Sequence, residues 1–317
     1  MPAWSRMATA ARGADGAGGT PPSVATEPRP VARAPRGVVY PPRRVPVVSS
    51  FELVRASSAV ERLAIARAFV TTHAHDGVLV VGASRAAADE LAWSVAARSG
   101  ALVDVTRMSF AELATKLALP VLAERLATPA SPLGLEAMVA RVTFDAVDAG
   151  DLRYFTPVAD LPGFPRAAAR TLHELQQAGV PREALREVDR VGPDLAALAA
   201  RLDEQIGRSG AIGRADVLAT ATARLSADPR ALPARAVVLV DVAVTTAVER
   251  RLLAAIAAAA GTLLAVVPTG DVPTTAACRA AGAIERASDA DEAAADASAR
   301  ARLQSWLFAP EPPPEGG

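Results

Sequence analysis

From Pro46 onward, apolar residues fall into an alternation of short continuous runs and spaced stripes. The run VPVVSSFELV reads as a strand ending near Val54. Ala59, Leu63, Ala66 and Val70 follow at spacings of 4, 3 and 4, which places them on one face of a helix. GVLVVG at 77–82 is a continuous apolar run between glycines, the pattern of a strand buried on both faces of a parallel sheet. A helix is predicted over Arg85 to Arg98 and a third strand over ALVDVT at 101–106, with Asp104 inside it. Strand, helix, strand, helix, strand implies an α/β sheet with right-handed crossovers.

The rhythm then changes. Ser109 to Leu126, Leu133 to Ala149, Phe164 to Ala178, Pro193 to Gly207 and Arg214 to Leu225 all read as helices, separated by Pro and Gly punctuation. The sheet resumes with AVVLVD at 236–241, a helix from Thr246 to Ala260, and TLLAVVP at 262–268. The expected organisation is therefore an α/β core from 48–106 plus 235–275, with an all-helical subdomain, 107–234, nested inside it. Residues 276–309 read as an acidic, alanine-rich helical segment ending near Trp306 and Phe308. Residues 310–317, PEPPPEGG, read as a linker or truncation point. Residues 1–47 are rich in Pro, Gly, Ala and Arg without period and are expected to be disordered.

Composition narrows the function classes. Formal net charge is zero, yet residues 1–50 carry seven arginines against two acids, and residues 276–317 carry four arginines against seven acids. Subtracting both tails from 34 basic and 34 acidic residues leaves 23 and 25 for 51–275, so no overall basic field advertises nucleic acid. The single Cys278 excludes an internal disulfide and a cysteine-built zinc or iron–sulfur site, which fits a reducing cytoplasm. The most apolar run, Leu252 to Val267, is broken by Gly261, so no membrane span is expected.

The most informative chemistry is an absence. FELVRASSAVER, 51–62, carries a strand into a helix where an ATPase places its phosphate-cradling loop, but it holds no glycine and no lysine. A loop of the form GxxxxGK[ST] needs glycines so that backbone N–H groups close around phosphates, and a lysine that reaches the outer phosphates. Lys116 is the only lysine in the chain.

Five segments in order resemble the first ATPase-like domain of UvrD-type superfamily I helicases, and most closely its degenerate form in the B subunit of AddAB-type helicase–nucleases. They are RASSAVER at 55–62, VVGASRAAADEL at 80–91, VDVTRMSFAELATKL at 103–117, AIGRADVLATATARL at 211–225, and VVLVDVAVTTAVERRLL from 237 with VVPTGD downstream. An active member places a magnesium-holding Asp and a water-activating Glu in the fifth segment. Here Asp241 stands, Val242 takes the place of the general base, and Val244 and Thr245 take the polar positions that follow. Gly270 and Asp271 match the next motif, while Thr274 stands where a glutamine senses the γ-phosphate.

The resemblance implies a P-loop-NTPase-like parallel sheet with a nested helical subdomain. It also implies a degenerate ATP site at Arg55, Ser57, Ser58, Arg62, Asp241, Val242 and Asp271. Single-stranded DNA contacts are expected from Ser84, Arg85, Thr106, Arg107 and Ser109, with an AddA- or UvrD-like motor subunit as partner. Full-length relatives continue into a second helicase-like domain and a PD-(D/E)xK nuclease, and neither those carboxylates nor the cluster cysteines map onto this chain. The expected protein is thus a cytoplasmic, non-catalytic helicase-like scaffold of DNA repair or recombination, a fragment or split subunit that takes no cofactor. The alternatives are a pure protein-assembly module or relic without DNA binding and, from the GASR turn alone, a dinucleotide-binding Rossmann enzyme.

Other candidate groups have blander readings. His73, His75 and Asp76 form a possible metal pair with one acid but lie in a solvated loop, and His173 sits on a helix surface. Cys278 has no activating neighbour in sequence, and Trp93 and Trp306 read as core residues.

Overall fold

In the computed structural model, which describes residues 50–286, the first strand, β1, is Ser50–Ala56, two residues longer at its end than the apolar run predicts. Helix α1 (Ala59–His73), strand β2 (Val78–Gly82), helix α2 (Arg85–Ser99) and strand β3 (Val105–Ser109) follow. After a helical stretch the sheet resumes with β6 (Ala236–Val240), helix α9 (Ala247–Ala259), β7 (Thr262–Pro268), helix α10 (Val272–Ala280) and the short β8 (Ile284–Arg286). The six strands lie in the order β3-β2-β6-β7-β1-β8, all parallel.

Alternation within each strand builds a core on either face. Val78 and Val80, Ala236, Val238 and Val240, and Leu264 and Val266 turn to one face and pack with Ala66, Val70, Leu91 and Val95 of α1 and α2. Leu79 and Val81, Val237 and Leu239, and Leu263, Ala265 and Val267 turn to the other. A sheet covered on both faces explains why its strands read as continuous apolar runs. Each fully buried leucine, such as Leu79, Leu252 or Leu253, contributes roughly 2 kcal/mol relative to its exposed state.

Between β3 and β6 the chain forms α3 (Phe110–Glu124), α4 (Pro132–Asp148), α5 (Phe164–Gln177), the single turn α6 (Arg182–Leu185), α7 (Gly192–Ser209) and α8 (Arg214–Ala227). A two-residue parallel pair, β4 (Thr128–Pro129) with β5 (Ala211–Ile212), ties the start of this stretch to its end. Leu113 and Leu117 of α3 and Leu218 and Leu225 of α8 join the sheet's second core, whereas α4, α5 and α7 close their own cluster around Val139, Val142, Leu172, Leu198 and Leu202. β4 and β5 are invisible to periodicity because two residues have none.

Four expectations need correction. The third strand lies at Val105–Ser109, not 101–106: Asp104 takes a left-handed conformation (φ 60), its carbonyl accepts the Val78 N–H, and the strand begins only after that bend. The inward face of α1 is Arg62, Ala66 and Val70, with Ala59 exposed and Leu63 only partly buried, because the arginine has partners at the helix base. Trp93 is 66 % exposed on α2 and is not a core residue. The stretch after 276 is helical only to Ala280 and then turns into β8, since Gly282 (φ 92) ends the helix. Expectations about 1–49 and 287–317 lie outside the described residues. No helix among the described residues is long and apolar enough to cross a membrane.

Candidate functional site

The strands end together along one edge of the sheet. Ala56 is level with Pro268, Val240 with Val266, and Gly82 with both Val240 and Ser109. Open α/β sheets collect ligands beyond the carboxyl ends of their strands. Most of the singled-out residues lie along that edge, on strand ends or on the turns and helix starts that follow, whereas Thr106 and Arg107 lie earlier in β3.

Two of them, 179 residues apart, meet. The Arg62 Nε–H donates to Asp241 Oδ1 at 2.6 Å, and the Arg62 NH2 group lies 3.3 Å from Asp241 Oδ2. The NH1 group donates to the carbonyls of Ala56 at 2.9 Å and Ser57 at 3.1 Å. Arg62 is only 8 % exposed, and the Asp241 side chain is about one-third exposed. The fork geometry of guanidinium satisfies a carboxylate and two carbonyls at once, which an ammonium cannot do. Asp241 itself sits at φ 51, a conformation that L-residues other than Asn and Asp rarely adopt.

The polarity of this junction is opposite to that of a phosphate cradle. A cradle turns N–H donors inward toward an anion. Here Ala56 and Ser57 turn carbonyl oxygens toward a cation, and that cation already pairs with the Asp241 carboxylate. Ser58 precedes α1 without a side-chain cap, and Arg55 points away to Glu285 on the edge strand β8. Arg279 joins Glu285 and, with Arg55, holds its carboxyl below the usual range.

The loop after β6 is closed on itself. Val242 (4 % exposed) and Val244 are buried in the core, so the position resembling a general base is an apolar core position. The Val244 N–H donates to Thr274 Oγ1 at 3.0 Å, which ties this loop to the start of α10. Asp271 caps α10 by accepting the Thr274 N–H. Thr246 and Glu249 form a capping box at the start of α9, and Glu249 Oε2 also accepts the Thr245 N–H. Glu249 Oε1 pairs with Arg214 at 3.0 Å. Glu249 was missed from the sequence, although T-x-x-E before an apolar helix is a readable capping signature.

Glu249 carries a pH dependence. Burial works to raise its carboxyl, but the N–H groups of Thr246 and Thr245 and the Arg214 guanidinium outweigh it, and the net position is below the ordinary value. A depressed carboxylate adds stability that is full above its unfolded value of about 4.3 and is lost as pH falls through the folded value. Asp216 works in the opposite sense: burial and then the Asp203 charge raise it, against the Gly213 N–H. The difference between wild type and Glu249→Gln isolates the glutamate. The denaturation midpoint is expected to fall between pH 5 and pH 3 more steeply in wild type than in the variant, and equal slopes would refute this account.

Of the five candidate DNA contacts, Ser84, Arg85 and Ser109 lie at or just beyond the ends of β2 and β3, while Thr106 and Arg107 lie earlier in β3, level with Leu79 and Val80. Gly82, where an added Cβ would lie 2.8 Å from the Ala88 nitrogen, allows the tight turn into α2. Ser84 Oγ accepts the Ala87 N–H and so caps α2, and Ser109 shares a capping box with Glu112. Arg85 Nε lies 3.2 Å from Asp89, Arg107 Nε lies 3.5 Å from the same carboxylate, and Glu112 stands 4.0 Å from Arg85. Two arginines therefore face two acids, and the patch is locally neutral. Thr106 lies in β3, partly buried. The helical repeat from Arg85 through Asp89 leads to the exposed indole of Trp93 on the same side of α2.

The remaining candidates do not join this edge. The His73 ring packs against Phe69 with centroids 4.5 Å apart, and among the described residues no three His, Cys, Asp or Glu side chains form a metal-binding group. Burial and then the Asp271 charge push the Cys278 thiol up to about 12, far from a reactive thiolate. No protein-family model matches the chain, and no curated protein matches it in sequence.

Proposed function

We propose that this chain is a non-catalytic, helicase-like scaffold of DNA repair or recombination, P-loop-NTPase-like in fold with a nested helical subdomain, whose ATP site has been converted into an internal ion pair. The observation that carries this reading is the contact of Arg62 with Asp241 and with the Ala56 and Ser57 carbonyls. In the family that the segments resemble, the loop after the first strand and the aspartate after the sixth clasp nucleotide and magnesium from two sides. Here one buried arginine bridges the two positions and leaves no unpaired charge for either.

The scaffold contacts single-stranded DNA through Arg85 and Arg107, by phosphate contacts that position rather than specify, with the Trp93 indole beside them for base stacking. Its protein partner on this reading is an AddA- or UvrD-like motor subunit, in the cytoplasm. The neutralisation of both arginines by Asp89 and Glu112 favours the second reading, an assembly module that binds the motor and leaves DNA to it.

Fluorescence and gel-shift titration with a single-stranded oligonucleotide at low salt separates the two. On the DNA reading, binding quenches tryptophan emission in a variant that keeps Trp93 and carries Trp4→Phe plus Trp306→Phe, weakens as salt rises, and falls about tenfold in Arg85→Ala plus Arg107→Ala. No binding by the protein or by its complex with a motor subunit selects the assembly reading. ATPase activity that disappears in Asp241→Ala would overturn both.

A further inference from the structure

A concave feature lies away from the strand ends, among the helices. A cleft of about 590 Å³ opens between α3, α4, α5 and α8, above the β4–β5 pair. That volume is within the roughly 300–1,000 Å³ of small-molecule sites. Its floor is aliphatic, supplied by Ala114, Leu135, Ile212, Val217 and Leu218, and no Phe, Tyr or Trp lines it. An aliphatic floor suits an alkyl body, which leaves water on entering it.

The wall is cationic. Arg166, Arg170 and His173 recur at spacings of 4 and 3 on α5 and turn the same face to the cleft, and Arg214 of α8 faces them. Glu136 of α4 is the one acidic residue among the lining side chains. Arg170 is shared with Glu174 at 2.9 Å and Arg214 with Glu249, but Arg166 has no hydrogen bond or ion pair among the described residues. Guanidinium groups over an aliphatic floor fit a carboxylate head on an alkyl chain: the head pairs with the fork while the tail leaves water.

We propose that this cleft is a binding site for an aliphatic carboxylate, held by Arg166 and Arg170 at its head and by the α3–α8 floor along its chain. This inference stands apart from the DNA reading and depends on none of its residues.

Isothermal titration with sodium decanoate below its micellar concentration tests it. The expected result is one saturable site per chain. Arg166→Ala plus Arg170→Ala, both on the exposed face of α5, weakens binding about tenfold or more. Decanol, with the same chain and no charge, binds at least about tenfold more weakly than decanoate. Ala114→Phe fills the floor and abolishes binding, with circular dichroism confirming its fold; should it not fold, the arginine pair carries the test alone. No saturation with decanoate, unchanged affinity in the arginine variant, or decanol binding as tightly as decanoate would each overturn the site. Tighter binding of adenosine monophosphate than of decanoate would overturn the aliphatic assignment.

Discussion

Replacing Arg62 with alanine is expected to destabilise the protein by about 3 kcal/mol. Removing one member of a buried pair typically costs about 3–5 kcal/mol, because the other is left charged and unpaired. Asp241 is one-third exposed, so water recovers part of that loss. The carbonyls of Ala56 and Ser57 lose their donor as well, which returns some of it. For a domain of this size the melting temperature would fall by roughly 6–12 °C. Arg62→Lys should recover only part of the loss, since an ammonium cannot serve the carboxylate and both carbonyls in one plane.

A double-mutant cycle separates this ion pair from mere packing. Asp241→Ala alone also destabilises, while the combined variant is expected to be clearly less damaged than the sum of the two, with a coupling of about 1–3 kcal/mol. Thermal unfolding and urea titration read it. Additive effects, or a loss under about 1 kcal/mol for Arg62→Ala, would show that the arginine is not what holds the junction closed. None of these variants should gain affinity for MgATP, because the loop they expose still lacks the glycines and lysine of a cradle.

The second large effect is expected at Asp194, far from that junction. Asp194 sits in the first turn of α7, is 2 % exposed, and its Oδ2 accepts the N–H groups of Arg153, Tyr154 and Phe155 at 3.0, 2.9 and 3.0 Å. Three successive amides converging on one oxygen form an anion-binding nest, and the helix N-terminus adds its own positive end. The clamp holds the loop that carries Leu152 into the third core cluster. Asp194→Ala orphans three donors at once and is expected to cost about 3 kcal/mol. Asp194→Asn keeps an acceptor oxygen and should cost about 1 kcal/mol. Hydrogen exchange gives the local readout: amides 153–155 should exchange much faster in Asp194→Ala, while those of β6 and β7 change only as far as global stability does. Unchanged protection at 153–155 would remove the clamp from the account.

Neither residue was equally visible in the chain. Arg62 reads as one position of the degenerate ATP site after the first strand, but the helical stripe turns Leu63 inward and gives the arginine no partner. Burying a charge one turn into an amphipathic helix looks wrong by pattern alone and becomes right only when a carboxylate arrives from elsewhere. Asp194 gave no signal, because an acid in the first turn of a helix reads as an ordinary favourable end. Trp93 failed the other way: a large indole reads as core, yet the face of α2 that packs inward is Ala88, Leu91, Ala92 and Val95.

What the sequence determined by itself was whatever depends on near neighbours. Continuous runs such as AVVLV and TLLAVVP, bounded by turn residues, place β6 and β7 to within a residue. The lack of glycine and lysine at 51–62 needs no structure to be read. The strand order β3-β2-β6-β7-β1-β8, the bend at Asp104, and the meeting of Arg62 with Asp241 were decided by the tertiary structure. Period and propensity act over a turn of helix or a few residues of strand, whereas a charge's partner is set by which strand ends lie side by side. That arrangement joins residues 179 apart and leaves no trace in local pattern.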